Sequence, residues 1–242
     1  MAIAINGVPI YGPEDGPGGD AVASQHGMYE EDRQNIELGV CHGHSGRGGT
    51  FHYHADANCL HWHPEEGESI LDYDISTPAA VAQNTANGSH SPVIGAAMDG
   101  YPIYGPYAVV DGQIKYLESG YTKLASQRVD GPSITKYPAG FFVEDFKYIE
   151  GYGDLDEHNG RFAVTPDYPN GIYAYYSTVE EQTTQNPLDP FDGARKPVFP
   201  YVVGDTYHSE PSSFNLDYQS NQDIAPDLYT RNTEPYNISE YT

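Results

Sequence analysis

The chain reads as a mainly β protein: one compact β-rich domain with one or two short helices, long ordered loops and an extended C-terminal tail. Three observations predict this. The 242 residues include 22 Tyr, 26 Gly and 19 Pro; tyrosine suits half-buried pleated surfaces, and glycine and proline punctuate turns. Apolar residues come in short alternating runs between turn signals rather than at helical spacing. The length also suits an all-β chain folded as a single domain.

The opening segment contains NGVPIYGP, and residues 99–106 repeat it as DGYPIYGP, 93 positions later. Each copy reads as turn, short strand and turn, so two similar units are expected to pack as neighbours. The match is too short for a solenoid repeat. The favoured reading is a good local solution for a buried Ile–Tyr strand, ahead of a true duplication. Residues 20–37, with Glu30, Glu31 and Asp32, form the better helix candidate. A second short helix is expected from Ser76 or Thr77, with Pro78 in its first turn. Strands are expected at 50–54, 91–98, 103–110, 113–117, 141–149, 161–165, 172–177 and 198–203. The run NGIYAYYSTV is the clearest, because it alternates after an Asn-Gly turn.

The domain is placed at 1–204. Residues 205–242 are polar with scattered apolar residues and no periodic face. They read as an extended tail or a link to a further module. Asn237-Ile-Ser matches a glycosylation sequon by pattern alone.

The formal charge of −24 and the pI near 4.4 exclude a nucleic-acid binder and oppose an anionic membrane surface. The same charge attracts cations. No stretch has the apolar length of a membrane-spanning helix. The opening MAIAING has no basic or apolar leader region. Export is therefore expected by a removed leader, by another route, or by release after assembly in a cytoplasm.

Six of the ten histidines lie between His42 and His63, as the pairs His42/His44, His52/His54 and His61/His63. On a strand the two imidazoles of such a pair share a face. Imidazole is the commonest side-chain ligand for zinc and copper. The predicted metal ligands are His52 and His54, completed from His42, His44, His90 and His158. His158 stands beside Asp154, Asp156 and Glu157 in GDLDEHNG. His61 and His63 flank Trp62 and read as an exposed strand end. The only two cysteines, Cys41 and Cys59, bracket the cluster. A disulfide between them is the first reading, and thiolate ligands to zinc are the rival. Calcium is a lesser candidate at Asp154, Asp156 and Asn159, where the loop pattern is incomplete.

No nucleophile elbow, P-loop, dinucleotide fingerprint or zinc-protease helix motif occurs. Ser45 in HGHSG has histidines beside it in sequence, which is not how catalytic triads assemble. The one enzymatic route is a His-bound metal with an open position, activating water or dioxygen.

Phe51-His52-Tyr53-His54 resembles the hallmark of the YHYH-domain family. NGVPIYGP, CHGH, GGTFHYH, HSPVIGAAMDGYPIYGP, LDEHNGRFAVTPDYPNGIYAYY and PVFPYVVG are similar to that family too, so the likeness spans nearly residues 1–204. Phe51 departs from the tyrosine of the family name. The resemblance implies a secreted bacterial or marine protein, or a structural protein of a marine phage. The resulting expectation is a non-enzymatic structural or adhesive module, on a virion (a phage tail, for example) or another extracellular surface, stabilised by a His-bound metal. Its partners would be proteins of a larger assembly or cell surface, further copies of the chain included, with no nucleic acid and no membrane insertion. The competing expectation is a secreted metalloenzyme, a hydrolase or copper oxidase, using the same histidines.

Overall fold

The computed structural model describes residues 1–14, 42–46, 49–55, 90–129, 132–179 and 197–211. Both expected helices, Cys41, Cys59, His61 and His63 lie outside these residues. The described residues are mostly strand and turn, with one 3-10 turn at Val143–Asp145 and no helix long and apolar enough to cross a membrane.

Eight strands form one mixed sheet: β1 (Ala2–Ala4), β2 (Pro9–Ile10), β3 (Gly43–Ser45), β4 (Phe51–Tyr53), β5 (Val93–Ala97), β6 (Pro102–Tyr104), β11 (Gly160–Ala163) and β12 (Ile172–Tyr176). Their order is β11-β12-β6-β5-β1-β2-β4-β3. Two small hairpins flank it, β7 (Tyr107–Val110) with β8 (Gln113–Tyr116), and β9 (Tyr121–Lys123) with β10 (Phe146–Tyr148).

The sheet consists of one four-stranded unit used twice. From the central antiparallel pair β1–β5, both directions run antiparallel, parallel, antiparallel. The registers correspond. Ile10 faces Tyr53 as Ile103 faces Tyr175, and Gly43 faces Tyr53 as Gly160 faces Tyr175. The turns correspond too: Gly7 donates to Ala4 and Gly100 to Ala97, with φ of 82° and 91°. These positive values suit glycine, which has no Cβ to clash. His42 and Asn159, with φ of 55° and 65°, both accept from the strand opposite, from the amides of His54 and Tyr176. The two IYGP copies thus occupy equivalent places in a pseudo-two-fold sheet, which fits a duplication better than a coincidence of local sequence.

Glycine is required at the paired positions Gly43 and Gly160. A Cβ on Gly43 would lie 2.7 Å from both Phe51 and Tyr53, and one on Gly160 would lie 2.3 Å from the Tyr173 hydroxyl. In each half the aromatic rings of the inner strand close over the outer one.

The core packs Ile10, Ile94, Ile103, Tyr53 and Tyr175 against Phe199, Tyr201 and Val202. A second cluster gathers Tyr104, Tyr176, Ala174, Ala108, Leu117 and Leu155. The buried phenols keep partners, as buried polar groups must. Tyr175 donates to Asp99 at 2.6 Å, Tyr173 to Asp156 at 2.9 Å and Tyr104 to Asp167 at 2.9 Å. Burial pushes the Tyr104 hydroxyl up to about 12, so it stays a donor at neutral pH.

Three expected strands differ. The run 103–110 breaks at Gly105-Pro106 into β6 and β7, because proline cannot continue the ladder. The first part of 141–149 is the 3-10 turn, and only Phe146–Tyr148 is strand. Residues 198–203 form turns, and Phe199 stacks on Phe146 at 4.2 Å instead of pairing in a sheet. Burial was legible there, but its cause is packing between rings.

The chain keeps contact with the domain beyond Gly204. The His208 ring stacks on Tyr173 at 3.6 Å, its amide donates to the Tyr175 hydroxyl, and the Ser209 amide donates to Asp99. Residues 212–242 lie outside the described part.

The loop between β9 and β10 is organised by Arg128. Its guanidinium donates to both Asp145 oxygens at 2.5 Å and to the carbonyls of Pro132, Tyr137 and Pro138. Asp145 is buried and also accepts from the amides of Gly140 and Phe142.

Candidate metal centre

Three imidazoles meet at the β3–β4 edge of the sheet. His44 faces His52 across the antiparallel pair. His54 follows two residues after His52, so the extended chain returns its side chain to the same face. The Nε2 atom of His54 is 3.1 Å from Nε2 of His44 and 3.1 Å from Nε2 of His52. All three ligand nitrogens lie within 4.8 Å of one another. His52 and His54 are buried and His44 is half-buried.

Second contacts decide which ring nitrogen is bare. Nδ1 of His54 is 2.9 Å from the Gly12 carbonyl, and Nδ1 of His52 is 3.3 Å from the Thr50 carbonyl. A carbonyl only accepts, so each Nδ1 carries the proton. In the neutral rings both Nε2 atoms then present lone pairs to each other across 3.1 Å. Two lone pairs at that distance repel unless a cation lies between them. Burial, and then the neighbouring His52, hold the His44 imidazole below its usual range. A metal ion held between them would resolve the repulsion. Two nitrogens at about 2.0–2.1 Å from one ion lie roughly 2.9–3.4 Å apart for angles from about 90° to tetrahedral. The two separations at His54 match, and all three nitrogens lie within 4.8 Å of one another. Carbonyl acceptors on the far ring nitrogen are also what metal-binding histidines commonly use.

Three of the six predicted ligands are therefore brought together, and three are not. His42 precedes β3 in left-handed backbone, which breaks the alternation that would have set its ring beside that of His44. His42 is buried outside the cluster, and its carbonyl accepts from His54. His90 lies in the other half of the sheet, with Nδ1 2.7 Å from the Ser91 carbonyl and its ring 4.7 Å from Tyr104. His158 faces Thr206, its Nδ1 2.9 Å from that hydroxyl.

At the calcium candidate the two carboxylates already carry protein contacts, while the side-chain oxygen of Asn159 is buried without a hydrogen-bond partner. Asp154 takes Lys115 and the Glu118 amide, and Asp156 takes Tyr173 and the amides of His158 and Gly160. Asn159 donates to the carbonyls of Tyr176 and Val202. Ser45 is an exposed residue opposite Phe51. Tyr11, missed in the sequence, stacks on His52 at 4.0 Å and 19°. Its place in the IYGP motif was the available signal.

His90 should add a pH dependence to the stability of the metal-free protein. Burial holds its imidazole below the usual range, against the opposing pull of Ser91 and Asp167. The unfolded chain then binds more protons in the window below about 6.5, so stability is complete above that pH and falls beneath it. Urea melts of metal-free protein from about pH 8 to about pH 5 should show this slope, and His90→Gln should reduce it, leaving the share that His44 contributes. An unchanged slope in the variant would rule His90 out as its source.

No curated protein and no solved structure matches the chain. The sequence model described as YHYH protein matches residues 1–189, which contain the whole histidine centre and both IYGP units. His52 and His54 are the two histidines of the segment that corresponds to the family's name, and the chain belongs to the YHYH protein family.

Proposed function

We propose that the domain is a non-enzymatic structural or adhesive module of an extracellular or virion surface, with a transition metal, zinc or copper, bound by His44, His52 and His54. The comparison of the two halves carries this reading. At the places of His44, His52 and His54 the other half has Arg161, Ala174 and Tyr176. There, Tyr176 and Ala174 are fully buried in an aromatic cluster with Tyr104 and His90. The unit thus folds without imidazoles at these positions, and fills the space with aromatic core. The first half instead converges three nitrogens, and a bound ion supplies there the cohesion that the rings supply opposite. Protein partners of a larger assembly fit the acidic, tyrosine-rich chain, since tyrosine favours interfaces.

A second reading, a metal-dependent hydrolase or copper oxidase, is favoured by the ligand count. Three protein ligands are typical of open catalytic sites, whereas structural zinc takes four. Elemental analysis of protein purified without added metal tests the shared premise, with one ion per chain expected. Loading with Co(II) and adding azide then separates the readings. An unchanged visible spectrum supports a closed structural ion, and a new azide-dependent band supports the open, catalytic one. Protein that takes up no zinc, copper or cobalt would end both.

A further inference from the structure

On the reading that His44, His52 and His54 hold a metal, we propose that Tyr11 is a positioning residue of that centre, clamping His52 while its neighbour Gly12 clamps His54. Four contacts place the Tyr11-Gly12 dipeptide around the ligand strand. The Tyr11 amide donates to the Tyr53 carbonyl at 2.7 Å, which anchors the dipeptide to the residue between the two ligands. The Tyr11 ring lies nearly parallel to His52 at 4.0 Å and meets His54 edge-on at 6.3 Å. The Gly12 carbonyl accepts from Nδ1 of His54 at 2.9 Å. One dipeptide, about forty positions away in sequence, thus orients one imidazole by its ring and the next by its carbonyl.

Core packing does not account for the ring. Tyr11 is 38% exposed, whereas Tyr104 in the second IYGP copy is fully buried. Tyr104 spends its hydroxyl on Asp167 and Thr165 and packs on His90 and Tyr176 inside the core. The same motif therefore serves the interior in one half and the histidine centre in the other. The physical effect of the stack follows from charge. A metal on Nε2 withdraws electron density from the His52 ring, and the electron-rich face of a phenol stabilises a cationic neighbour more than a neutral one. The ring also restricts His52 to the orientation that points Nε2 at His54. Both effects favour the metal-loaded protein over the metal-free one, and neither needs the tyrosine hydroxyl.

The test uses the full chain loaded with Zn(II) or Co(II), with affinity read by competition against a chromophoric chelator. Tyr11→Leu is expected to weaken metal binding by about tenfold, within the range found for partners of ligating histidines. It should also shift the Co(II) visible spectrum and leave the metal-free melting temperature close to wild type. Tyr11→Phe should bind within about threefold of wild type with the same spectrum, because the stack is retained. Equal affinity and an unchanged spectrum in Tyr11→Leu would overturn the assignment. So would a loss of stability as large without metal as with it, which would make Tyr11 an ordinary packing residue. Wild type that binds neither ion fails at an earlier point, and would remove the centre itself together with the role of Tyr11.

Discussion

The double variant His52→Ala, His54→Ala is expected to melt far below the metal-loaded wild type and to be indifferent to chelator. It loses two of the three converging nitrogens, including the His54 Nε2 that lies 3.1 Å from each of the others. What remains is a single imidazole, His44, too weak a site to compete with buffer. An ion present at a thousand times its dissociation constant stabilises the state it binds by about 4 kcal/mol. For a domain of this size that corresponds to roughly 10 °C in melting temperature. Thermal melts with and without chelator check this. Wild type should drop by that amount on chelation, and the variant should not respond. If both respond alike, these two histidines are not ligands. The metal-free proteins offer a second comparison: removing the facing lone pairs should relieve part of the repulsion, against the loss of two buried rings and of their hydrogen bonds to Gly12 and Thr50.

Arg128→Ala should destabilise the domain by about 3–5 kcal/mol, because it strands the buried Asp145 carboxylate. Arg128 and Asp145 are buried in side chain, and the guanidinium also collects three carbonyls of the loop that follows it. Arg128→Lys keeps the charge but not the planar fork, and should recover only part of the loss. Burial alone would raise the Asp145 carboxyl. Its hydrogen bonds from Arg128 and from the Phe142 and Gly140 amides outweigh that and hold it below the usual carboxylate range. This part of the stability is therefore present above about pH 4 and is lost as acid protonates the folded carboxylate. Urea melts at neutral and acid pH measure both effects. A variant within about 1 kcal/mol of wild type at neutral pH would show that the loop relaxes around the missing ion pair.

The mainly β class was legible because it depends on local chemistry. Short runs such as IYAYY after Asn170-Gly171 pleat wherever they are placed, and they form β12 here. The histidine pair His52/His54 was legible for the same reason, since alternation along one strand sets both rings on one face. The third member of the cluster was not. His44 and His42 belong to one His-x-His pair, yet only His44 lies on β3, while the left-handed turn at His42 carries that residue's ring out of the cluster. Alternation holds only within a strand, and His42 stands before β3 in left-handed backbone. His90 and His158 are equally good ligands as side chains, but the folded chain commits them to Ser91 and to Thr206.

The internal echo shows the division most directly. The sequence by itself determined that two IYGP units exist, that the chain is acidic, and that imidazoles crowd into one short segment. These follow from composition and from contacts between residues a few positions apart. Only the tertiary structure decided that the two units are halves of one pseudo-symmetric sheet, and that one surrounds an aromatic core while the other surrounds three facing nitrogens. It also decided that Tyr11 and Gly12 would reach the strand of His52. Those outcomes rest on pairings such as Ile10 with Tyr53 and Ile103 with Tyr175. Their partners are separated by tens of residues, so the contacts become favourable only after the loop-closure entropy of the whole sheet has been overcome together.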